Sequence, residues 1–158
     1  MNALNDLAKK VPVIFPAHPR AIKQIKNFKL TEMVNYEENF LLNEINNMNR
    51  NILTIPPLGY LDFLCLMSNA SIVLTDSGCI QEETTALAIP CLTLRNNTER
   101  SITVKDGTNI IVGNKPGKII SESIKILNGK NKKHYKIPRL WDGKTSGRII
   151  RILIKSLI

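Results

Sequence analysis

The sequence predicts an α/β fold, a Rossmann-like, doubly wound parallel sheet. Short apolar runs rich in Val, Ile and Leu alternate along the chain with segments of helical periodicity, which is the pattern of βαβ units. The chain has 158 residues, of which 43% are hydrophobic and 22% charged. This size and composition are typical of one ordered globular domain. We therefore expect a single domain over residues 1–158.

In the first half of the chain, the spacing of apolar residues predicts three helices, over 2–10, 20–28 and 32–48. Short apolar runs predict two strands, over 11–15 and 51–55. Pro56 and Pro57 end the second of these strands, because proline has no N–H to donate within a central sheet. Two further prolines, Pro16 and Pro19, place His18 in a loop directly after the first strand.

In the second half, apolar runs predict three more strands, over 71–75, 90–94 and 109–112. Helices are predicted between and after them, over 61–69, 79–88, 117–127 and 147–157. Strands joined through helices run parallel, with right-handed crossovers. The chain has no apolar stretch of about eighteen residues, so no membrane span is expected. Its polar N-terminus lacks the apolar core of a secretion signal, which favours a cytoplasmic location.

Composition disfavours metal and nucleic-acid sites. The three cysteines, Cys65, Cys79 and Cys91, form no C-x-x-C pair, and the chain has only two histidines; we expect no structural zinc. The formal net charge of +9 raises the question of nucleic-acid binding. However, the basic residues are spread, and the one dense basic run, 128–139, contains a single aromatic residue. We interpret that run as a solvated loop and expect no nucleic-acid partner.

The turn after the strand 71–75 is the most informative part of the sequence. In residues 75–83, TDSGCIQEE, a strand ends, a small polar turn follows and a helix begins. The free N–H groups at a helix start attract anions, Ser77 adds a hydroxyl, and Gly78 allows close approach to the backbone. These features suit a phosphate group. The alternative is that Asp76 or Ser77 only caps the helix.

Other polar side chains also follow predicted strands or begin helices. Glu83 lies one turn into the helix, where it could accept hydrogen bonds from a ribose diol or simply be solvated. His18 could donate to a phosphate or transfer a proton, or be an exposed loop residue. Arg95 and Arg100 could bind phosphate oxygens through paired donors, or pair with Glu99 or water.

The sequence contains none of three common signatures, namely G-x-x-x-x-G-K-[ST], G-x-G-x-x-G and G-x-S-x-G. Ser77 is therefore a poor candidate for a nucleophile. Cys79 stands at a predicted helix start, where thiolates are stabilised, but no neighbouring base accompanies it in the sequence.

The run LTDSGCIQEETTALAIPCLTLRNNTERSITVKDGTNIIVG resembles the signature segment of non-hydrolysing UDP-N-acetylglucosamine 2-epimerases. That family typically reads L-T-D-S-G-G-I-Q-E-E, followed by P-x-L-x-L-R-x-x-T-E-R-P. The segments FPAHPR, IPPLGYLDFLCLMSNA and LWDGKTSGRI are also similar to the family, in the expected order, so the resemblance covers most of the chain. It implies the C-terminal half of a two-domain GT-B fold, with the ligand between two Rossmann-like halves.

The resemblance implies interconversion of UDP-N-acetylglucosamine and UDP-N-acetylmannosamine, by elimination of UDP and its re-addition after protonation on the opposite face. The reaction needs no metal or redox cofactor, and its product is used in surface polysaccharide synthesis. The implied roles are the diphosphate for Ser77 and Gly78, the ribose for Glu83, the uracil for Phe63, and the diphosphate and sugar for Arg100 and the catalytic His18.

Two positions depart from the family pattern, since Cys79 replaces its second glycine and Ser101 its proline. The resemblance also implies that the catalytic carboxylates belong to an N-terminal half, which we expect to be missing from this chain. The chain alone should then be inactive; a homodimer is a further expectation. The alternatives are one half of a GT-B glycosyltransferase and a non-catalytic remnant that only binds UDP.

Overall fold

A computed structural model describes residues 1–37, 52–130 and 135–157. The chain divides into two compact units. The first comprises Met1–Leu66 and Lys115–Lys125, and the second Met67–Asn114 and Ile126–Ile158. That residues 1–158 act as one nucleotide-sugar-binding domain stays a prediction.

The first unit contains a parallel sheet in which β3 (Ile52–Ile55) lies between β1 (Val13–Pro16) and β2 (Val34–Tyr36). All four residues of β3 are buried, as expected for the central strand of a parallel sheet. The unit's helices are α1 (Asn2–Ala8), α2 (Pro19–Asn27), a short 3-10 helix (Thr31–Met33), and most of α3 (Tyr60–Ser68) and α6 (Pro116–Leu127).

The second unit contains another parallel sheet, ordered β4 (Val73–Thr75), β5 (Cys91–Thr93), β6 (Asn109–Ile111). The central strand β5 is again fully buried. Its helices are α4 (Gly78–Ala86), α5 (Ser101–Lys105) and α7 (Thr145–Leu157). Every pairing in both sheets is parallel, so the α/β class predicted from the sequence is confirmed.

Two of the predicted elements were wrong. The helix predicted over 32–48 is replaced at its start by the 3-10 helix and by β2, because Val34 pairs in register with Ile52. The remainder of that segment, from residue 38, lies outside the described residues. The segment after β5, for which no helix was predicted, contains α5, a five-residue helix that is too short to show apolar periodicity in the sequence.

The interior of the second unit is polar as well as apolar. Its buried apolar side chains include Cys91, Leu92 and Val112. Beside them lie fully buried residues that carry hydroxyl or amide groups, namely Gln81, Thr84, Thr85, Thr93, Thr103 and Asn109. Buried polar groups need hydrogen-bond partners to avoid a large desolvation cost. The hydrogen bonds of this interior therefore determine how the neighbouring loops are held.

The last helix, α7, contains no buried residue among those described. Ile149, Leu153 and Leu157 are each more than half exposed. Within the part of the chain that the structure describes, no helix combines the length and the apolar character needed to cross a membrane.

Candidate functional site

The turn between β4 and α4 has the geometry that the sequence predicted. Ser77 is the N-cap of α4 and has an extended backbone, but its side chain makes no capping hydrogen bond. The turn is ordered instead by the Ser77 N–H, which donates to Thr75 Oγ1 at 3.0 Å. The structure therefore does not support the alternative in which the Ser77 hydroxyl only caps the helix.

Gly78 lies in close contact with the segment that follows β5. A Cβ atom added to Gly78 would lie 2.8 Å from Glu99 Oε1 and 3.4 Å from Arg100 Nε. The absence of a side chain at Gly78 thus lets both charged groups approach the first turn of α4. The partial positive charge at the N-terminal end of α4 thus lies beside one guanidinium group, that of Arg100, and one carboxylate, that of Glu99.

The arginines of this segment are held by weak ion pairs. Arg100 lies 3.4 Å from Glu82 and Arg95 lies 3.3 Å from Glu99, and all four side chains are substantially exposed. Exposed ion pairs contribute little free energy, so these pairs cost little to rearrange. The Arg100 Nε atom, by contrast, is buried and has no hydrogen-bond partner. A buried donor without an acceptor is destabilising, and a ligand oxygen beside Gly78 would relieve that cost.

Glu83 is half-buried on the same helix, and the neighbouring Glu82 is the residue that pairs with Arg100. Consecutive side chains on a helix diverge by about 100°, which leaves the Glu83 carboxylate separate from that ion pair. Cys79, which replaces the family glycine, has an exposed side chain. Its sulfur is therefore not packed into the protein interior.

Five polar side chains beneath the site form a hydrogen-bonded group that the sequence did not predict. They are Gln81, Thr93, Thr98, Thr103 and Asn109, called here the buried polar cluster, in which Thr98 is half-buried and the other four are fully buried. Thr98 Oγ1 donates to Gln81 Oε1 at 2.6 Å, and Asn109 Nδ2 donates to the same oxygen at 3.1 Å. Thr93 Oγ1 donates to Asn109 Oδ1 at 2.7 Å. These residues are uncharged and follow no recognisable spacing in the sequence. Their proximity is therefore visible only in the folded chain.

His18 lies in the first unit, directly after β1, where it is exposed and forms the N-cap of α2. Its Nδ1 atom accepts a hydrogen bond from the Arg20 N–H at 3.2 Å. An accepting Nδ1 leaves the proton of a neutral imidazole on Nε2. His18 therefore has a local structural role, with Nε2 as the ring atom that remains for a ligand.

Phe63 also lies in the first unit, near the start of α3, and is half-buried. Its N–H donates to the carbonyl of Gly59 at 2.9 Å. The predicted site residues thus fall into two sets. Ser77, Gly78, Glu83 and Arg100 belong to the second unit, whereas His18 and Phe63 belong to the first. Among the described residues, no group of three or more His, Cys, Asp or Glu side chains is placed to hold a metal ion.

The fold and the β4–α4 turn define a class of protein, namely parallel α/β proteins in which a helix begins directly after a strand, with its free N–H groups near the carboxyl end of that strand. The family can also be stated. The model of the UDP-N-acetylglucosamine 2-epimerase family matches residues 1–154, and the chain belongs to that family.

Curated relatives agree with this assignment. The UDP-N-acetylglucosamine 2-epimerase of Methanocaldococcus jannaschii is 43% identical over 141 residues, which are 89% of this chain and 34% of that protein. The enzyme of the same name from Methanococcus maripaludis is 40% identical over 95% of this chain and 37% of its own length. The chain thus spans little more than a third of the length of these relatives.

Solved structures confirm the Rossmann-like, GT-B-type fold predicted from the sequence. The M. jannaschii epimerase has a TM-score of 0.74 and 38% identity, covering 98% of this chain and 39% of that chain. The same enzyme was solved in complex with UDP-GlcNAc and UDP, with a TM-score of 0.70 and 39% identity over 96% of this chain and 38% of that one. The Neisseria meningitidis epimerase bound to UDP-GlcNAc has a TM-score of 0.70 and 29% identity, over 98% and 40% of the two chains.

Proposed function

We propose that this chain is the UDP-binding half of an enzyme that interconverts UDP-N-acetylglucosamine and UDP-N-acetylmannosamine. The observation that carries the proposal is the meeting of the Arg100 side chain with the start of α4 at Gly78, where Arg100 Nε is buried without a partner. Membership of the epimerase family supports the same reading. So do the relatives that were solved with UDP-GlcNAc.

The diphosphate is proposed to bind at the start of α4. The N–H groups of its first turn and the Ser77 hydroxyl donate to phosphate oxygens, and Gly78 allows them to come close. The Arg100 Nε–H group then donates a hydrogen bond to the diphosphate. Glu99 must move away, because its carboxylate lies beside Gly78 and would repel the ligand. Its ion pair with Arg95 is exposed and holds it only weakly.

The remaining site residues are proposed to bind the nucleoside and sugar. Glu83 accepts hydrogen bonds from the ribose hydroxyls, since its carboxylate is one turn from the helix start. Phe63 offers an aromatic face to the uracil. His18 acts near the diphosphate and sugar through Nε2, because Nδ1 is engaged with the Arg20 N–H.

In the proposed reaction, a base removes the proton from carbon 2 as the bond between carbon 1 and UDP breaks, which leaves a glycal with a double bond between carbons 1 and 2, and negative charge grows on the leaving phosphate. The start of α4 and Arg100 stabilise that charge, which lowers the barrier to elimination. UDP then returns after carbon 2 has been protonated on its other face. The proposed reaction uses no metal or redox cofactor.

We further propose that the groups which remove and return the carbon 2 proton come from a second Rossmann-like half. The chain spans little more than a third of its relatives, and acid–base groups on both faces of a sugar require a closed cleft. A homodimer of the completed protein is proposed as well.

Calorimetry with UDP tests the binding proposal. Arg100→Ala should weaken UDP binding at least about tenfold, which is the loss of one charge-assisted hydrogen bond. Arg95→Ala is a matched control, because it removes the same charge from the same segment but not the group beside Gly78. Ser77→Ala with Glu83→Ala should abolish binding. Folded wild-type chain that binds no UDP, or equal losses for both arginine variants, would refute the proposed site.

A further inference from the structure

Both backbone groups of Arg100 are hydrogen-bonded to threonine hydroxyls. The Arg100 N–H donates to Thr98 Oγ1 at 3.0 Å, and Thr103 Oγ1 donates to the Arg100 carbonyl at 2.7 Å. The peptide groups on either side of Arg100 are therefore fixed. The position of the side chain over Gly78 depends on this backbone geometry.

The same two hydroxyls are bonded to amide side chains of the buried polar cluster. Thr98 Oγ1 donates to Gln81 Oε1 at 2.6 Å, and Thr103 Oγ1 accepts from Asn109 Nδ2 at 3.2 Å. Asn109 Nδ2 also donates to Gln81 Oε1, which closes the connection. Because Gln81 belongs to α4, the connection joins Arg100 to the helix whose start it faces.

The burial of the cluster indicates that it does more than fill space. Gln81, Thr93, Thr103 and Asn109 are all 0% exposed. Apolar side chains of similar size would fill these positions without the desolvation cost of hydroxyl and amide groups. The cost is not even fully recovered, because Gln81 Nε2 is buried and has no partner. A polar network of this kind fixes one arrangement of the segments that it joins.

The exposed contacts of Arg100 cannot provide the same positioning. Its ion pair with Glu82 is 3.4 Å long and the two side chains are 42% and 37% exposed. Such a pair contributes little free energy and has no strict geometry. The hydrogen bonds through Thr98 and Thr103, by contrast, are directional; those to the Arg100 backbone are part-buried, and those of Asn109 behind them are buried.

We propose that Gln81, Thr98, Thr103 and Asn109 are positioning residues that hold Arg100 over the start of α4. This inference rests on the proposed function, in that Arg100 is taken to receive the diphosphate of the nucleotide. None of the four side chains needs to touch the ligand. They act through the backbone of Arg100.

Thr98 offers a matched pair of variants, since valine keeps its shape without the hydroxyl and serine keeps the hydroxyl. Thr98→Val should weaken UDP binding about tenfold while binding of uridine, which has no phosphate, stays unchanged. Thr98→Ser should bind UDP like the wild type. In the Arg100→Ala background, Thr98→Val should cause no further loss, because the two changes remove the same contribution. Equal losses for UDP and uridine, or additive losses with Arg100→Ala, would overturn the proposal in favour of a general structural role.

A measurement on the free protein tests the positioning of Arg100 independently of the proposed function. In the free protein, the NMR signal of the Arg100 Nε–H should exchange slowly with water, because the atom is buried. Thr98→Val should accelerate that exchange and Thr98→Ser should not. Unchanged exchange in Thr98→Val would overturn the positioning role, even if UDP binds as proposed. Accelerated exchange in a chain that does not bind UDP would retain positioning and refute the function.

The second hydroxyl provides an independent variant if Thr98→Val does not fold. Thr103→Val removes the hydroxyl that donates to the Arg100 carbonyl and leaves the Thr103 N–H as a donor to it at 3.0 Å, whereas Thr103→Ser retains both. As for Thr98, the valine variant should bind UDP more weakly and the serine variant should bind UDP like the wild type. Thermal unfolding of each variant establishes that the binding measurements compare folded proteins.

Discussion

At the scale of single residues, two glycines of the second unit illustrate different constraints. At Gly78, the closest atom to an added Cβ belongs to the exposed Glu99 side chain, which can move. At Gly107, an added Cβ would lie 2.4 Å from Thr85 Cγ2 and 2.7 Å from the backbone carbonyl oxygen of Thr103. An added Cβ at 78 would thus meet a side chain that can move aside, whereas glycine at 107 permits the packing of buried segments.

Gly107→Ala should therefore lower the free energy of unfolding by about 1–3 kcal/mol, as overpacking of a buried site does. The Thr103 backbone cannot move without disturbing the hydroxyl that bonds Arg100. Gly117→Ala is the control, because nothing lies within 4 Å of its added Cβ. Urea denaturation of both variants measures the difference. Equal stability of Gly107→Ala and the wild type would contradict the packing described here.

The exposed thiol of Cys79 reports on the proposed nucleotide site. Cys79 directly follows Gly78 in the first turn of α4, and Cys65 is a second exposed cysteine in the first unit. Bound UDP should slow alkylation of Cys79 by iodoacetamide and leave alkylation of Cys65 largely unaffected. Mass spectrometry of the modified peptides gives both rates in one sample. Equal rates with and without saturating UDP would place the nucleotide elsewhere.

At the scale of elements, the turn before α7 forms an ion pair with the start of the helix. Arg148 donates to the Asp142 carboxylate, and the Lys144 N–H donates to Asp142 Oδ1 at 3.1 Å. The hydrogen bond from Arg148 is the main cause that lowers the pKa of Asp142 below its ordinary value, and the Lys144 N–H adds to it. The pair thus connects the turn before α7 to the first turn of the helix.

The lowered pKa of Asp142 determines how the stabilisation by its ion pair with Arg148 changes with pH. Stabilisation by this pair is present above the ordinary pKa of about 4 and is lost as the pH falls through the lowered value. Arg148→Gln should raise the pKa of Asp142, measured by NMR titration of its side-chain carboxyl carbon. Lys155→Gln, which removes a charge near the other end of α7, should leave that pKa unchanged. Equal shifts in the two variants would indicate an effect of net charge and not of the pair.

At the scale of the whole molecule, binding of UDP and conversion of UDP-N-acetylglucosamine are expected to require different parts of the protein. Inversion at carbon 2 needs proton transfer on both faces of the sugar in a site closed to water. We expect this chain by itself to bind UDP but to leave UDP-N-acetylglucosamine unconverted. Proton NMR in deuterated water detects the product and the exchange of the carbon 2 proton together. Formation of UDP-N-acetylmannosamine by the pure 158-residue chain would contradict the expectation.

Part of the candidate site was predictable from the sequence because its signals are local. Ser77 and Gly78 stand between an apolar run and a helical segment, so their place at a helix start follows from neighbours within a few positions. The position of Arg100 over Gly78 was not predictable in the same way. It depends on Thr98, which bonds Gln81 across 17 positions, and on Asn109, which bonds Gln81 across 28 positions.

The sequence by itself determined the parallel α/β class, most of the strand and helix positions, and the family. Apolar periodicity and the order of motifs can be recognised along the chain without knowledge of tertiary contacts. The tertiary structure alone decided that Glu82 pairs with Arg100, that residues 34–36 form a strand, and that uncharged polar residues connect Arg100 to α4. The physical reason is that hydrogen bonds and strand pairing between distant segments depend on three-dimensional proximity. That proximity exists only after the apolar strands have packed and brought those segments together.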